Sequence, residues 1–105
     1  MRFYVYEGDL KKKIDISSYD ERRAFRNDIC INSEKFNEQF GDKAFFFLAY
    51  YNETTASIGV IVNGDIDISS KAKAFIKAIG VELDLKKSYE ITIDSYSYQI
   101  KHPSI

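Results

Sequence analysis

The chain has 105 residues, of which 45% are hydrophobic and 30% are charged, and its formal net charge is -1. This mixture buries a core and leaves a hydrated surface, so the composition excludes a disordered chain. The near-neutral charge excludes a general polyanion-binding domain, because such domains are strongly basic. The longest apolar run, residues 44–51, is too short to cross a bilayer.

Cys30 is the only cysteine. A single thiol excludes an intramolecular disulfide and a multi-cysteine metal site, and it favours a reducing compartment. The first residues carry charges where a signal peptide has an apolar run. We therefore expect a cytoplasmic protein, and the sequence predicts neither a metal nor a cofactor.

The first predicted element is a strand over residues 3–6, which are aromatic and β-branched. The sequence Glu7-Gly8-Asp9 then predicts a turn. The three lysines that follow, Lys11, Lys12 and Lys13, begin either a short return strand or a loop.

Ser17 and Ser18 predict the start of a helix, with acidic residues in its first turn. Its apolar residues, four apart in two pairs, form one stripe: Phe25, Ile29, Phe36 and Phe40. Whether Asn32 and Ser33 divide this helix into two pieces stays open, and Gly41 is interpreted as its terminal glycine.

Two β-rich runs, residues 44–51 and 56–62, predict an antiparallel hairpin. A second helix is predicted from a cap at Ser69-Ser70 to Gly80, with Ala72, Phe75, Ile76 and Ile79 as its buried stripe. Residues 89–100 predict one long strand. Its alternation changes phase near Asp94 and Ser95, which indicates a bulge or a bend, with Ile91 and Ile93 toward the core.

The predicted order is strand, helix, strand, strand, helix, strand. It indicates an α+β, ferredoxin-like βαββαβ fold, with a four-stranded antiparallel sheet and both helices on one face. We expect residues 1–101 to form a single domain. Residues 102–105 are either a terminal tail or the start of a linker.

No catalytic site can be assembled from the sequence, and no catalytic residue is predicted. The single histidine, His102, falls in the predicted tail, where a general base is poorly placed. Cys30 is interpreted as a small buried hydrophobe, since a reactive thiol needs a basic neighbour and only Arg26 is one turn away.

The arginines provide the best local candidate for anion or nucleic-acid binding. Arg22, Arg23 and Arg26 fall on one predicted helix, and Lys11, Lys12 and Lys13 precede it. Guanidinium groups on neighbouring faces grip phosphates or carboxylates. The alternative interpretation is a solvated helix face whose cations pair with nearby acidic residues.

Helices on one face leave the other face of the sheet open, and the strands carry many aromatic residues. Tyr96, Tyr98 and Ile100 are the predicted interaction residues on that face. We therefore predict a non-catalytic binding module that contacts another protein or its own copy, as a homodimer or as the N-terminal domain of a larger protein. The alternative is a nucleic-acid-binding or RNA-processing domain that uses the N-terminal Arg and Lys residues.

Overall fold

The computed structural model describes residues 1–93 and 98–101, with side chains described for residues 1–91. These residues form two helices and five strands. In chain order they are β1 (Arg2–Leu10), α1 (Tyr19–Asn37), β2 (Ala44–Tyr51), β3 (Thr55–Val62), α2 (Ile68–Ile79), β4 (Leu83–Ile93) and β5 (Tyr98–Lys101). The strands form one antiparallel sheet in the order β2-β3-β1-β4-β5. Strands β1 to β4 with the two helices confirm the predicted ferredoxin-like α+β fold.

The C-terminal strand prediction was wrong in one respect. Residues 89–100 are not one bent strand, because β4 and β5 pair antiparallel as two strands. The register places Ile91 beside Ile100 and Ile93 beside Tyr98. The change of alternation in the sequence therefore falls between two strands and not within one.

The predicted turn at residues 7–9 was also wrong, since β1 continues through them to Leu10. Gly8 lies where the register between β1 and β4 shifts. A Cβ atom at Gly8 would overlap the backbone carbonyl oxygen of Asp84. The glycine is needed there because the two strands approach each other closely. In the sequence, a glycine with this role cannot be distinguished from a glycine in a turn.

Helix α1 is continuous through Asn32 and Ser33. It begins at the predicted cap, where the Ser18 hydroxyl accepts a hydrogen bond from the Glu21 amide at 3.2 Å. Residues on both sides of Asn32, Ile29 and Phe36, are buried in the same core. This packing outweighs the weak helix propensity of Asn and Ser. The helix ends at Asn37, so Gly41, with a φ of 58°, belongs to the following turn.

Helix α2 begins two or three residues earlier than the predicted cap at Ser69-Ser70 implies. The cap is Asp67, whose carboxylate accepts a hydrogen bond from the Ser70 amide at 3.2 Å. Gly80 ends the helix with a φ of 75°, as predicted.

The core lies between the helices and one face of the sheet. Phe36 contacts Phe46 and Phe75 with ring centroids 5.3 Å away in each case. The predicted helix stripes are confirmed, with Phe25 and Phe40 partly buried against the core and the other members buried: Ile29, Phe36, Ala72, Phe75, Ile76 and Ile79. Neither helix in the described part of the chain is long and apolar enough to span a membrane.

Candidate interaction surface

The face of the sheet opposite the helices carries two apolar rows. The first crosses four strands through directly paired residues: Phe45, Ile61, Phe3 and Ile91. The second runs beside it through Phe47, Gly59, Val5 and Tyr89. Directly paired residues share a face of the sheet. Since the alternate residues of these strands pack on the helices, both rows lie on the open face.

Phenylalanine rings dominate one half of this face. The rings of Phe45 and Phe47 stack at 5.8 Å with an interplanar angle of 27°, and Phe3 lies 5.9 Å from Phe47. We call Phe3, Phe45, Phe47 and Ile61 the aromatic patch. Its most accessible member, Phe45, is 51% exposed, so the patch presents a preformed apolar surface to solvent.

Gly59 leaves room for the Phe47 ring on the open face of the sheet. A Cβ atom at Gly59 would be 2.5 Å from a ring carbon of Phe47. The ring therefore occupies the space above the glycine, and Val5, directly paired with Gly59, is buried although no helix covers it. Close packing of this kind fixes the ring of Phe47 in one orientation.

A polar row borders the patch. Tyr50, Ser57, Glu7 and Lys87 are paired in register across β2, β3, β1 and β4. The Tyr89 hydroxyl donates a hydrogen bond to Glu7 Oε1 at 3.0 Å. Burial, followed by this hydrogen bond and the Glu7 charge, raises the pKa of Tyr89 above its ordinary value. The open face is therefore apolar at one end and carries a carboxylate at the other.

Two of the strand tyrosines lie on the other face. Tyr4 and Tyr6 pack against the core on the helix side, and burial raises the pKa of Tyr6. The open face in this half of the sheet is built from phenylalanine instead. Ile91 also differs from its prediction, since its pairing with Phe3 places it on the open face and not toward the core. A period-two pattern defines which residues share a face, but not which face the helices cover.

Two of the three predicted interaction residues lie in β5. The register extends the first apolar row from Ile91 to Ile100 and pairs Tyr98 with Ile93. Tyr96, the third, lies outside the described residues, as does His102. Their role in an interface stays a prediction.

The predicted basic residues are not brought to the open face. Arg22, Arg23 and Arg26 lie on α1, in the helix layer, where an Arg22 guanidinium nitrogen donates a hydrogen bond to the Ile16 carbonyl oxygen. Lys12 and Lys13 line a cavity of about 390 Å³ between the loop after β1 and α1. Three carboxylates line the same cavity, Glu21, Asp28 and Glu82, and they compete with any anionic ligand.

Arg26 lies instead in a larger groove of about 540 Å³ between α1 and β2. The groove is mainly apolar, with Ile29, Phe46 and Leu48 among its lining residues, and Cys30 and Glu34 lie on its α1 side. Cys30 is exposed, so its interpretation as a buried hydrophobe was wrong. Cys30 directly follows buried Ile29 in the sequence, and this position did not show that its side chain faces solvent.

The described residues contain no cluster of three or more His, Cys, Asp or Glu side chains that could hold a metal ion. The Asp67 carboxylate, close in the chain to Asp65, caps α2. Comparisons of the chain with protein-family models, curated proteins and solved structures found no match. Support for a function therefore comes from the chemistry and geometry of the open face.

Proposed function

We propose that this chain is a non-catalytic interaction module that binds an apolar surface of another protein with the open face of its sheet. One observation carries the proposal. Two adjacent rows of apolar residues cross four strands on the face that the helices leave uncovered, with Phe45 half exposed at the start of one row. An apolar patch with a polar border is typical of a protein-binding surface.

The rigidity of the patch supports this function. The Phe47 ring is held over Gly59, stacked on Phe45 and in tilted contact with Phe3. A ring that is fixed before binding loses little conformational entropy when a partner covers it. Aromatic anchors in such positions contribute a large share of the binding energy at interfaces.

We extend the proposed surface to the predicted interaction residues Tyr98 and Ile100 in β5, and the pairing of Ile100 with Ile91 of the first row supports this extension. Tyr96 belongs to the same proposal on its sequence position alone. A cytoplasmic location is part of the proposal too, because one unpaired, exposed cysteine suits a reducing compartment.

Nucleic-acid binding is the second candidate function, and the stacked, accessible rings of Phe45 and Phe47 favour it, because bases stack on such rings. Charge argues against it. The polar row of the open face pairs Lys87 with Glu7, so its charges cancel, whereas Arg22, Arg23 and Arg26 lie in the helix layer. A base-stacking platform is normally combined with several cations that follow the phosphate backbone, and here the three arginines are on the other side of the sheet from the stacked rings.

The test compares two patch variants with an equally exposed control. Phe45→Ser and Ile61→Ser remove apolar groups from the open face, and Ile31→Ser alters a 54% exposed side chain on α1. Proteins enriched from a cell extract by the wild type are purified and titrated against all four proteins by calorimetry. We expect at least one to bind the wild type and Ile31→Ser equally, and both patch variants about tenfold more weakly or worse.

Two outcomes would contradict the proposal. One is a purified partner whose affinity is the same for the wild type and for both patch variants. The other is salt-dependent binding of single-stranded RNA that Phe45→Ser abolishes, which would establish the nucleic-acid function instead.

A further inference from the structure

A charged stripe on α1 runs along the mouth of the groove between α1 and β2. Arg26, Cys30 and Glu34 are spaced four residues apart, which places them on one face of the helix. All three are exposed and line the groove. The two charges are about 12 Å apart along the helix axis, with Cys30 midway between them. Among the residues that the structure describes, neither charged side chain has an ion-pair or hydrogen-bonding partner.

The strand beside this stripe is an edge of the sheet. The sequence of β2 contains eight apolar or aromatic residues, with no charge and no proline. Long edge strands of this kind pair with other chains unless a charge, a proline or a covering element protects them. Asn37 protects one position, since its side-chain amide bonds both the carbonyl oxygen and the amide of Phe46. Within the described chain, no backbone hydrogen bond from another element reaches the outer edge of β2 beyond Phe46.

The charges of the stripe are complementary to those of a second copy. A two-fold axis perpendicular to α1 reverses the direction of the helix, so the two copies of α1 run antiparallel and their residues face each other in opposite order. With the axis beside Cys30, Arg26 of one copy lies opposite Glu34 of the other, and the pairing occurs twice. The stripe thus supplies both halves of its own ion pairs, whereas a foreign partner would have to provide both charges at the same spacing.

We propose that the chain forms a two-fold symmetric homodimer across the groove between α1 and β2, with Cys30 of the two copies beside the axis and reciprocal Arg26–Glu34 ion pairs. The dimer covers the apolar groove and the unprotected half of the β2 edge. Phe45 and Phe47 line this groove as well as belonging to the aromatic patch, so the dimer reaches one end of the patch. Phe3 and Ile61 do not line the groove and stay available to a partner. The dimer is a contact between copies of this chain, so it goes beyond the proposed function.

A charge-reversal series tests the dimer by sedimentation equilibrium at roughly micromolar concentrations. The wild type is expected to be dimeric. Arg26→Glu and Glu34→Arg each place like charges together twice, and we expect each to weaken the dimer about tenfold or more. The double variant, Arg26→Glu with Glu34→Arg, restores opposite charges and is expected to recover the wild-type affinity. Arg23→Glu is the matched control, because this exposed cation on α1 does not line the groove. Circular dichroism verifies that every variant is folded.

A wild type that is monomeric at these concentrations would overturn the proposal, and so would a double variant as weakly associated as the single ones. Cross-linking gives an independent measurement. Since Cys30 is the only cysteine, any dimer linked by a short bismaleimide joins the two Cys30 thiols. We expect linked dimer from the wild type and the double variant, and little from either single variant. Equal linkage in all four proteins would exclude the proposed axis.

The two proposals fail separately. Ile61→Ser, which alters the aromatic patch and does not line the groove, is expected to leave the sedimentation result unchanged. Loss of dimerisation in Arg26→Glu without loss of partner binding in Ile61→Ser would support the groove alone. Loss of partner binding in Ile61→Ser with an undisturbed dimer in Arg26→Glu would support only the patch.

Discussion

Asn37, at the end of α1, takes the place of a neighbouring strand for Phe46 in β2. Its Nδ2 donates a hydrogen bond to the Phe46 carbonyl oxygen at 2.7 Å, and the Phe46 amide donates one to Oδ1 at 2.8 Å. Both residues are buried. One side chain thus satisfies two backbone groups that an edge strand would otherwise leave unpaired.

Removal of this amide is expected to destabilise the fold. Asn37→Ala leaves the amide and the carbonyl of Phe46 buried without partners, which costs about 2–4 kcal/mol. Urea unfolding measures the loss. Asn27→Ala, at an exposed position of the same helix, is the control and is expected to change stability little, because Ala is the better helix former. Equal stabilities of the two variants would show that the Asn37 bonds contribute nothing.

The donor half of the same contact can be tested by pH. Asn37→Asp keeps an acceptor for the Phe46 amide, but at neutral pH its carboxylate faces the Phe46 carbonyl oxygen. Protonation restores a donor, so the folded state raises the pKa of this carboxyl group. The variant is therefore expected to gain stability, relative to the wild type, as the pH falls from about 7 to about 4. A constant difference across this range would contradict that prediction.

Gly59 and Phe47 are expected to show strong energetic coupling. Gly59→Ala forces the Phe47 ring off the sheet, and we expect a loss of about 1–3 kcal/mol by urea unfolding. In a Phe47→Ala background the methyl group has room, so the same change is expected to be nearly neutral. The double-mutant cycle then gives a coupling of about 1 kcal/mol or more. Strictly additive effects would mean that the ring does not rest on Gly59.

Gly8 is expected to be intolerant of any side chain. Gly8→Ala drives a Cβ atom into the backbone of Asp84, which cannot move without breaking the pairing of β1 and β4. We expect a loss of about 2 kcal/mol or more in thermal or urea unfolding. Gly64→Ala is the matched control, since its Cβ would be 3.4 Å from Lys43 Cβ and the backbone φ is not positive. Similar losses for the two variants would argue against a close approach at Gly8.

Phe75 lies at the centre of the core, fully buried against Phe36 and stacked on Phe46 at 5.8 Å. Phe75→Ala is expected to cost about 3–5 kcal/mol, because the neighbouring rings cannot collapse into the cavity. That is a large fraction of the stability of a domain of this size. A thermal melt that matches the wild type would contradict the packing of α2, and Lys73→Ala, at an exposed position of the same helix, serves as the control.

Stability is expected to fall at alkaline pH. The folded state raises the pKa values of Tyr89 and Tyr6 above the ordinary value of 10.0, so above that pH the unfolded chain releases these protons first. The stabilising contribution is therefore complete below pH 10 and is lost as the pH rises through the folded-state pKa values. Tyr89→Phe is expected to flatten the loss measured by urea unfolding, whereas Tyr19→Phe, at a 60% exposed ring, is expected to keep the wild-type slope.

The sequence by itself determined the order of the elements from β1 to β4 and the residues that the helices contribute to the core. Helical spacing identified Ile29, Phe36, Phe75 and Ile79, and the apolar runs identified the hairpin of β2 and β3, because both patterns are local and repeat with a fixed period. The cap at Ser18 and the glycine at Gly80 were readable for the same reason.

The tertiary structure decided the features that depend on distant neighbours. Only packing across the core shows that α1 continues past Asn32, and only the pairing of β1 with β4 explains Gly8. Alternation groups Phe3 with Val5 and Tyr4 with Tyr6, but the position of the helices decides which pair faces outward. The candidate surface therefore could not be located from the sequence: its phenylalanines come together through register between strands, and the charged stripe gains its significance from the groove and the β2 edge beside it.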